Sequence, residues 1–443
     1  MREAHAHLIA LGEALAIPDL ADCAGLDDCL ARVGWAAAGA RAGPQPAGRA
    51  PFVRLSGARV EAWPERRWPT MEELDRSGGG VPTVVLSFDH HAACANSAAL
   101  RAAGLEPGAP VGAAGIVATD EAGLPTGLLL EDAAFRAWQA ADPAEGEAAL
   151  EQLAAAVELL RDLGFDEAHD LNSQPELGPR LAELERRGRL GMRIRLYPPA
   201  ARVREASEEA RGWASDRVEL AGAKVFADGT LNSRTAFMLE EYREPLAEFP
   251  RGRALLAPDD LDDAAARAAS VGLPLAVHAI GDGAVRLALD AIERAQRGGV
   301  ARAVCRGLRY RVEHCELIDP GDVPRFAALG VVCSVQPCHL LADVEALTRY
   351  LPHRLERVLP LRDLVAAGCA PGELLWFGSD VPIVRADPRD SIVAATLRRR
   401  PDMPAERAIG PRQALSATEA WACFAGAPAG PSPGACPPAG GST

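Results

Sequence analysis

From about residue 143 to residue 380 this chain alternates short apolar runs with amphipathic segments, and most of the apolar runs close on a histidine or an aspartate. The helix expected over Glu145–Leu163 places Leu150, Leu153, Val157 and Leu160 at three-and-four spacing, and Gly164 stops it. Strands are expected at Phe165–His169, Met192–Tyr197, around Lys224, at Leu273–His278, Leu308–His314, Gly330–Pro337 and Leu374–Asp380. Helices are expected between them: Glu176–Arg187, Arg202–Trp213, Asp259–Val271 with Asp259 or Asp260 as cap, Gly283–Gln296, Pro320–Leu329 and His353–Ala367. Strand–helix alternation requires crossover connections and a parallel sheet. With the amino-terminal stub the count is eight strands, which favours a closed (β/α)8 TIM-like barrel over an open sheet. No glycine-rich phosphate loop follows any of them.

What gathers at the strand ends has a definite chemistry. His5 and His7 are two apart, so on a strand both rings point to one face. His278 and His314 close neighbouring strands, and Asp380 closes the eighth, which in a closed barrel lies beside the first. Imidazoles and a carboxylate converging on one rim are what a divalent cation needs. Such a cation lowers the pKa of water toward neutrality. Asp380 would then take the proton and pass it to a leaving amine, with His314 as the second candidate catalytic group. Lys224, the only lysine in the chain, lies inside a strand. As an ammonium it would repel a cation; as a carbamate, after reaction with carbon dioxide, it could bridge two. Pairing with Asp228 or Glu131, or an outward-pointing side chain, are the alternatives.

Composition narrows the partners. A net charge of −14 argues against nucleic acid or an anionic membrane and leaves a small molecule as the expected partner. The ten cysteines form no Cys-x-x-Cys pair or disulfide framework, and no secretory leader or long apolar span is evident, so a reducing cytoplasm is the expected compartment. Residues 8–142, rich in Gly, Pro and Ala, interrupt the alternation. They read as an insertion after the first strand that could wall off a pocket, with Val81–Asp89 as a strand and Asn96–Ala103 as a helix. The barrel is thus expected over 1–425, with 426–443 a disordered tail.

Several strings carry a resemblance. They are His5-Ala-His7-Leu, Phe88-Asp-His-His91 with Asn96-Ser-Ala-Ala-Leu100, Pro125-Thr-Gly-Leu-Leu-Leu-Glu131, and Lys224-Val-Phe-Ala-Asp-Gly-Thr-Leu-Asn-Ser-Arg-Thr235. Further along come Val277-His-Ala-Ile-Gly-Asp282, Arg311-Val-Glu-His314, Ser334-Val-Gln-Pro337 with His339 and Asp343, and Phe377-Gly-Ser-Asp380-Val-Pro382. In this order the chain resembles the amidohydrolase superfamily, and within it the branch of N-substituted formamide deformylases. The resemblance implies one or two divalent metal ions, often Zn2+, held by His5, His7, Lys224 (free or carboxylated), His278, His314 and Asp380. It implies hydrolysis of a carbon–nitrogen bond in a small N-substituted amide or formamide. It also places Asp89 and His91 at a substrate pocket, although His90 stands where the branch has glycine. Gln336 and His339 follow a strand end and could line that pocket; Arg234 could bind a carboxylate or close a loop. His169 and Asp170 read as structural, and His353 as a surface residue.

In one respect the chain departs from that pattern. Relatives carry a small β-sandwich from segments flanking the barrel; here the histidine pair begins at residue 5 and little follows Trp421. A pared-down variant and a gene fragment are both consistent with this, and exposed barrel surface would favour a homodimer. Two other functions remain open on sequence: hydrolysis or isomerisation of another polar substrate, such as a cyclic amide or carbamate, and an inert barrel with a binding or structural role.

Overall fold

A computed structural model of the chain describes residues 1–42, 51–60, 63–87, 92–107, 111, 115–141, 144–300 and 307–425. The expected tail at 426–443 lies outside them. The chain divides into two compact units, one joining Met1–Gly12 to the chain from Leu150 onward, the other Glu13–Ala149.

The first unit holds nine strands among the described residues: β1 (Arg2–Ala6), β2 (Glu167–Leu171), β3 (Arg193–Tyr197), β4 (Val218–Leu220), β5 (Ala223–Phe226), β6 (Leu275–Ala279), β7 (Arg311–His314), β8 (Val332–Val335) and β9 (Leu375–Phe377). They form two sheets, ordered β1-β2-β3-β4 and β5-β6-β7-β8-β9. Every pairing is parallel. Parallel backbone bridges also join the sheets at both ends, Pro199 to Lys224 and Ala6 to Val381. At the second of these the His7 N–H donates to Val381 O at 2.9 Å, and the Asp380 N–H donates to His5 O at 2.7 Å.

There are nine strands rather than the expected eight because one expected strand is in two pieces: β4 and β5 are separated only by Ala221 and Gly222 and run along the same neighbour, the Ala221 N–H donating to Leu196 O and the Lys224 N–H to Pro198 O. Three residues with a glutamate in the middle give no periodic signal, so β4 as a separate piece is invisible to a pattern search. The chain leaves it through Gly222, where a Cβ would lie 2.5 Å from the Tyr197 ring, so only glycine passes. The helix expected over 353–367 is instead a short turn, Leu355–Arg357, and a helix, Leu361–Ala366, separated at Pro360. A helix that was not expected, His339–Tyr350, follows β8. Before helix Pro258–Ala269 the cap position is Ala257; Asp260 sits inside the helix and accepts the Ala257 N–H at 2.9 Å.

The period of two sorts each strand's side chains. Leu275, Val277, Ala279, Val312, Cys333, Val335, Leu375 and Phe377 join the apolar core with Leu153, Val157, Leu160 and Leu289 of the helices. The alternate positions carry charge: Glu167 and His169 on β2, Arg311 and Glu313 on β7, all 3% exposed or less. Arg311 donates to Ala4 O (2.6 Å), His169 Nδ1 (2.7 Å) and Ser334 Oγ (2.9 Å), and so ties β7 to β1, β2 and β8.

The second unit holds a five-stranded sheet, in spatial order Val53–Ala58, Thr83–Ser87, Ala92–Ala95, Pro125–Leu130 and Ile116–Thr119. Only the first pair is parallel. A stretch read from sequence as weakly patterned is therefore ordered. The strand expected over Val81–Asp89 is present at Thr83–Ser87; others escape notice because they use small residues such as Ala-Ala-Cys-Ala, poor in β-propensity. Asn96 caps helix Ser97–Ala103 through its side-chain oxygen, 2.9 Å from the Ala99 N–H. No helix among the described residues is long and apolar enough to cross a membrane.

The contact of β1 with the segment after β9 is tight enough to test. A Cβ at Gly378 would lie 2.5 Å from the His5 backbone nitrogen and 2.7 Å from Glu3 Oε1. Gly378→Ala should lower unfolding stability by about 1–3 kcal/mol, because backbone has to move. A thermal midpoint equal to wild type would show that β1 does not pack there as described.

Candidate metal centre

Glu3, His5 and His7 occupy alternate positions at the start of the chain. His5 is buried and His7 half-buried. Glu3 Oε1 accepts the His5 N–H at 3.0 Å and the Ser379 N–H at 2.8 Å, which locks β1 against the turn that presents Asp380. His278 lies in β6, and His314 ends β7 opposite Ala279. His314 and Asp380 both have left-handed backbone, φ 72° and 66°, which is costly for residues with a side chain and recurs where side chains are aimed for function.

These residues meet. The ring centroids of His5 and His7 are 5.5 Å apart, His5 and His314 4.8 Å, and His278 and His314 4.3 Å. Asp380 Oδ1 lies 2.9 Å from His7 Nε2 and 3.4 Å from His5 Nε2. Its other oxygen, Oδ2, lies 3.8 Å from His339 Nε2. Two triads have ligand atoms close enough to share one ion: His5, His7 and Asp380, and His314, His339 and Asp380. The donor set of imidazole nitrogens and a carboxylate suits a divalent first-row metal.

Two buried atoms support that fit. Among the described residues, His314 Nδ1 and Lys224 Nζ have no hydrogen-bond partner. An unsatisfied buried polar atom costs about 1–3 kcal/mol, so each is poised for something other than protein. Lys224 is not paired with Asp228, whose carboxylate instead accepts the backbone N–H groups of Phe237, Ile280 and Gly281. Burial draws the lysine down to about 8, against the carboxylates of Glu313 and Asp380, which favour its charge. Burial likewise draws His5 to about 4 and His278 to about 3, so both rings are neutral, as ligands must be. His7 and Asp380 behave oppositely. Burial opposes charge on each, but their hydrogen bond and mutual attraction prevail: His7 is raised and Asp380 held well below the usual carboxylate range.

The other expected site residues divide. Gln336 Nε2 lies 3.3 Å from His5 Nδ1, and His339 Nε2 donates to Ser379 O at 3.2 Å, so both adjoin the cluster. The described contacts of Arg234 belong to its loop: it donates to Glu244 O at 2.8 Å and lies over the Tyr350 ring. Asp89 and His91 lie outside the described residues. His169 is held between Glu167 and Arg311, Asp170 Oδ2 accepts the Leu8 N–H at 2.7 Å, and His353 is exposed. Sequence reading gave no role to three carboxylates. Glu313 Oε2 lies 2.7 Å from His5 Nδ1. Glu316 and Asp343 form a third possible ion-holding group with His339, and Asn232 donates to Asp343 at 2.6 Å. The spacing of His339 and Asp343, four apart on one helix, was the available signal.

Comparison with known proteins follows the same line. A family model described as "Amidohydrolase family" matches residues 1–430. Protein LONG AFTER FAR-RED 3 of Arabidopsis thaliana is 28% identical over 369 residues, which is 80% of this chain and 61% of that protein. N-substituted formamide deformylase of Arthrobacter pascens is 25% identical over 373 residues, 80% of this chain and 65% of the deformylase. The crystal structure of an uncharacterized metal-dependent hydrolase from Pyrococcus horikoshii OT3 superposes with a TM-score of 0.73 at 25% identity, covering 95% of this chain and 78% of that one. The chain thus spans less than two thirds of the length of these two curated relatives.

The His7–Asp380 pair has a pH signature in metal-free protein. A raised histidine stabilises fully below its unfolded value of 6.5 and loses that contribution as pH climbs through its folded value. A depressed aspartate stabilises above its unfolded value of 3.8 and loses it as pH falls toward its folded value. The stability gap between chelator-treated wild type and Asp380→Asn should therefore be widest between about pH 4 and 6.5 and shrink on both sides. Denaturant titrations across that range read it directly; a gap independent of pH would show that the two groups are not paired.

Proposed function

Because the chain belongs to the amidohydrolase family, we propose that it is a metal-dependent hydrolase of a carbon–nitrogen bond in a small N-substituted amide, with formamides the first substrates to try. The observation that carries this reading is the convergence of His5, His7, His278, His314 and Asp380 beside a buried lysine whose Nζ has no hydrogen-bond partner among the described residues. The two parallel sheets, bridged at both ends, are read as one closed (β/α)8 barrel carrying this cluster on one rim.

One or two divalent ions, zinc by the donor set, would be held by His5, His7, Lys224, His278, His314 and Asp380. Bound there, such an ion lowers the pKa of water and polarises a carbonyl. Lys224 joins the set as a carbamate: its neutral amine adds to carbon dioxide, a C–N bond forms, and a proton leaves to solvent. Burial that weakens the ammonium favours the reactive amine. Asp380 does the proton work. Its Oδ1 is hydrogen-bonded to His7, so Oδ2, 3.8 Å from His339 Nε2, is the oxygen left to take a proton from the attacking water and deliver it to the departing nitrogen. Gln336 and His339, beside the cluster, orient the amide.

Protein purified without chelator should contain about one or two divalent ions per chain, and it should hydrolyse some member of a panel of formamides, acetamides, hydantoins and carbamates. Asp380→Asn should lower the rate by about 1,000-fold or more, a loss of some 4 kcal/mol of barrier reduction. Protein that refuses zinc after careful reconstitution would point instead to an inert scaffold. Turnover of a hydantoin or carbamate alone would move the substrate class.

A further inference from the structure

The imidazoles of the cluster are held in different ways. His7 bonds Asp380 at the front, His278 Nε2 lies 3.1 Å from the Gly229 carbonyl, and His314 Nδ1 has no hydrogen-bond partner among the described residues. His5 is gripped from behind by a carboxylate, Glu313, which is wholly buried. Arg311 in turn grips Glu313 with two nitrogens, Nε on Oε1 and Nη2 on Oε2 at 3.0 Å. Guanidinium, carboxylate and imidazole thus form a line leading from the interior to the rim.

That line fixes a proton. A carboxylate held by a guanidinium is an acceptor only, so the hydrogen shared with His5 sits on Nδ1. Gln336 Nε2 is also near that nitrogen, at 3.3 Å, but the shorter contact with a charged partner decides. Nε2 then carries the lone pair, and it is Nε2 that faces Asp380 Oδ1 at 3.4 Å. Joining β7 to its neighbours needs only Arg311, which reaches three other strands by itself.

We propose that Glu313, backed by Arg311, is a positioning residue that fixes His5 as the Nδ1–H tautomer and thereby makes Nε2 its ligand atom for a divalent cation. This rests on the reading above that the cluster binds such a cation. The carboxylate makes the ring a better donor and holds its plane, so affinity for the ion depends on a residue that never touches it.

Zinc is the probe, and the full chain the protein. Glu313→Gln keeps an acceptor for His5 but leaves Arg311 without its counter-charge. The paired change Arg311→Met with Glu313→Leu removes both charges of the pair together, so neither is left buried without the other. Competition with a chromophoric chelator should give zinc affinity about 10- to 100-fold weaker in the paired variant, with Glu313→Gln in between. The visible absorption of the cobalt-substituted protein should change with it. Thermal unfolding with and without zinc separates positioning from mere support: the zinc-induced rise in midpoint should shrink. Midpoints that fall equally in both states, with affinity within twofold of wild type, overturn the proposal and leave Glu313 a structural residue. Wild type that binds no zinc overturns the metal reading itself, and this inference with it.

Discussion

An ion pair sealed from water, Arg311 with Glu313, is the contact on which the rest of the first unit turns. The guanidinium reaches the backbone of β1, the imidazole on β2 and the hydroxyl on β8. Its partner carboxylate reaches His5. Burying such a pair gains little net stability, since desolvation offsets attraction, but losing one member costs about 3–5 kcal/mol. The pair therefore contributes geometry more than stability. It fixes how neighbouring strands stand relative to one another, and the side chains at their ends inherit that precision.

The charged face is possible because the other face of each strand supplies the burial. Leu275, Val277, Val335 and Phe377 pack with helices and carry the hydrophobic gain. Alternate positions are thereby released from core duty. Where closed parallel barrels are commonly filled by branched aliphatic layers, these two sheets place Arg2, Glu167, His169, Arg311 and Glu313 in buried positions. The same division explains the rim. His314 and Asp380 can hold unfavourable left-handed backbone because strands locked on both faces over-determine their position.

Much of this was legible in the sequence, and the limits are physical. Strand–helix alternation was visible because helices such as Gly146–Asp162 keep a 3.6 period over several turns. The imidazoles were visible because they close apolar runs. Three-residue β4 was not visible as a separate piece, since three residues cannot establish a period. Most of the sheet of the second unit was not, since alanine and glycine give no contrast between faces; Thr83–Ser87, the strand that was, is rich in valine. Glu313 was quoted within a motif yet not singled out. Its partner His5 lies 308 positions away, and nothing local in Arg311-Val-Glu-His314 says that the glutamate points at an imidazole. Arg234 left two roles open; its described contacts are those of a loop-closing residue.

Charge balance ties these strands together. Glu316, Asp343 and Asp380 are each 7% exposed, and among the described residues no arginine or lysine is paired with any of them. Imidazoles face them, and Asn232 donates to Asp343. One of the imidazoles, His339, is raised to about 9: burial opposes its charge, but Glu316 and Asp380 outweigh burial. A protein that wanted only stability would pair such acids with the guanidinium groups it has in abundance, as it does for Glu313 and for Asp282 with Arg354. Acids left with imidazole partners are balanced in the metal-free chain by protons on rings such as His7 and His339, both raised. A divalent cation would take the place of those protons, with no arginine to displace. A carbamate on Lys224, as proposed above, would exchange a positive group for a negative one and so make room in the charge balance for a second.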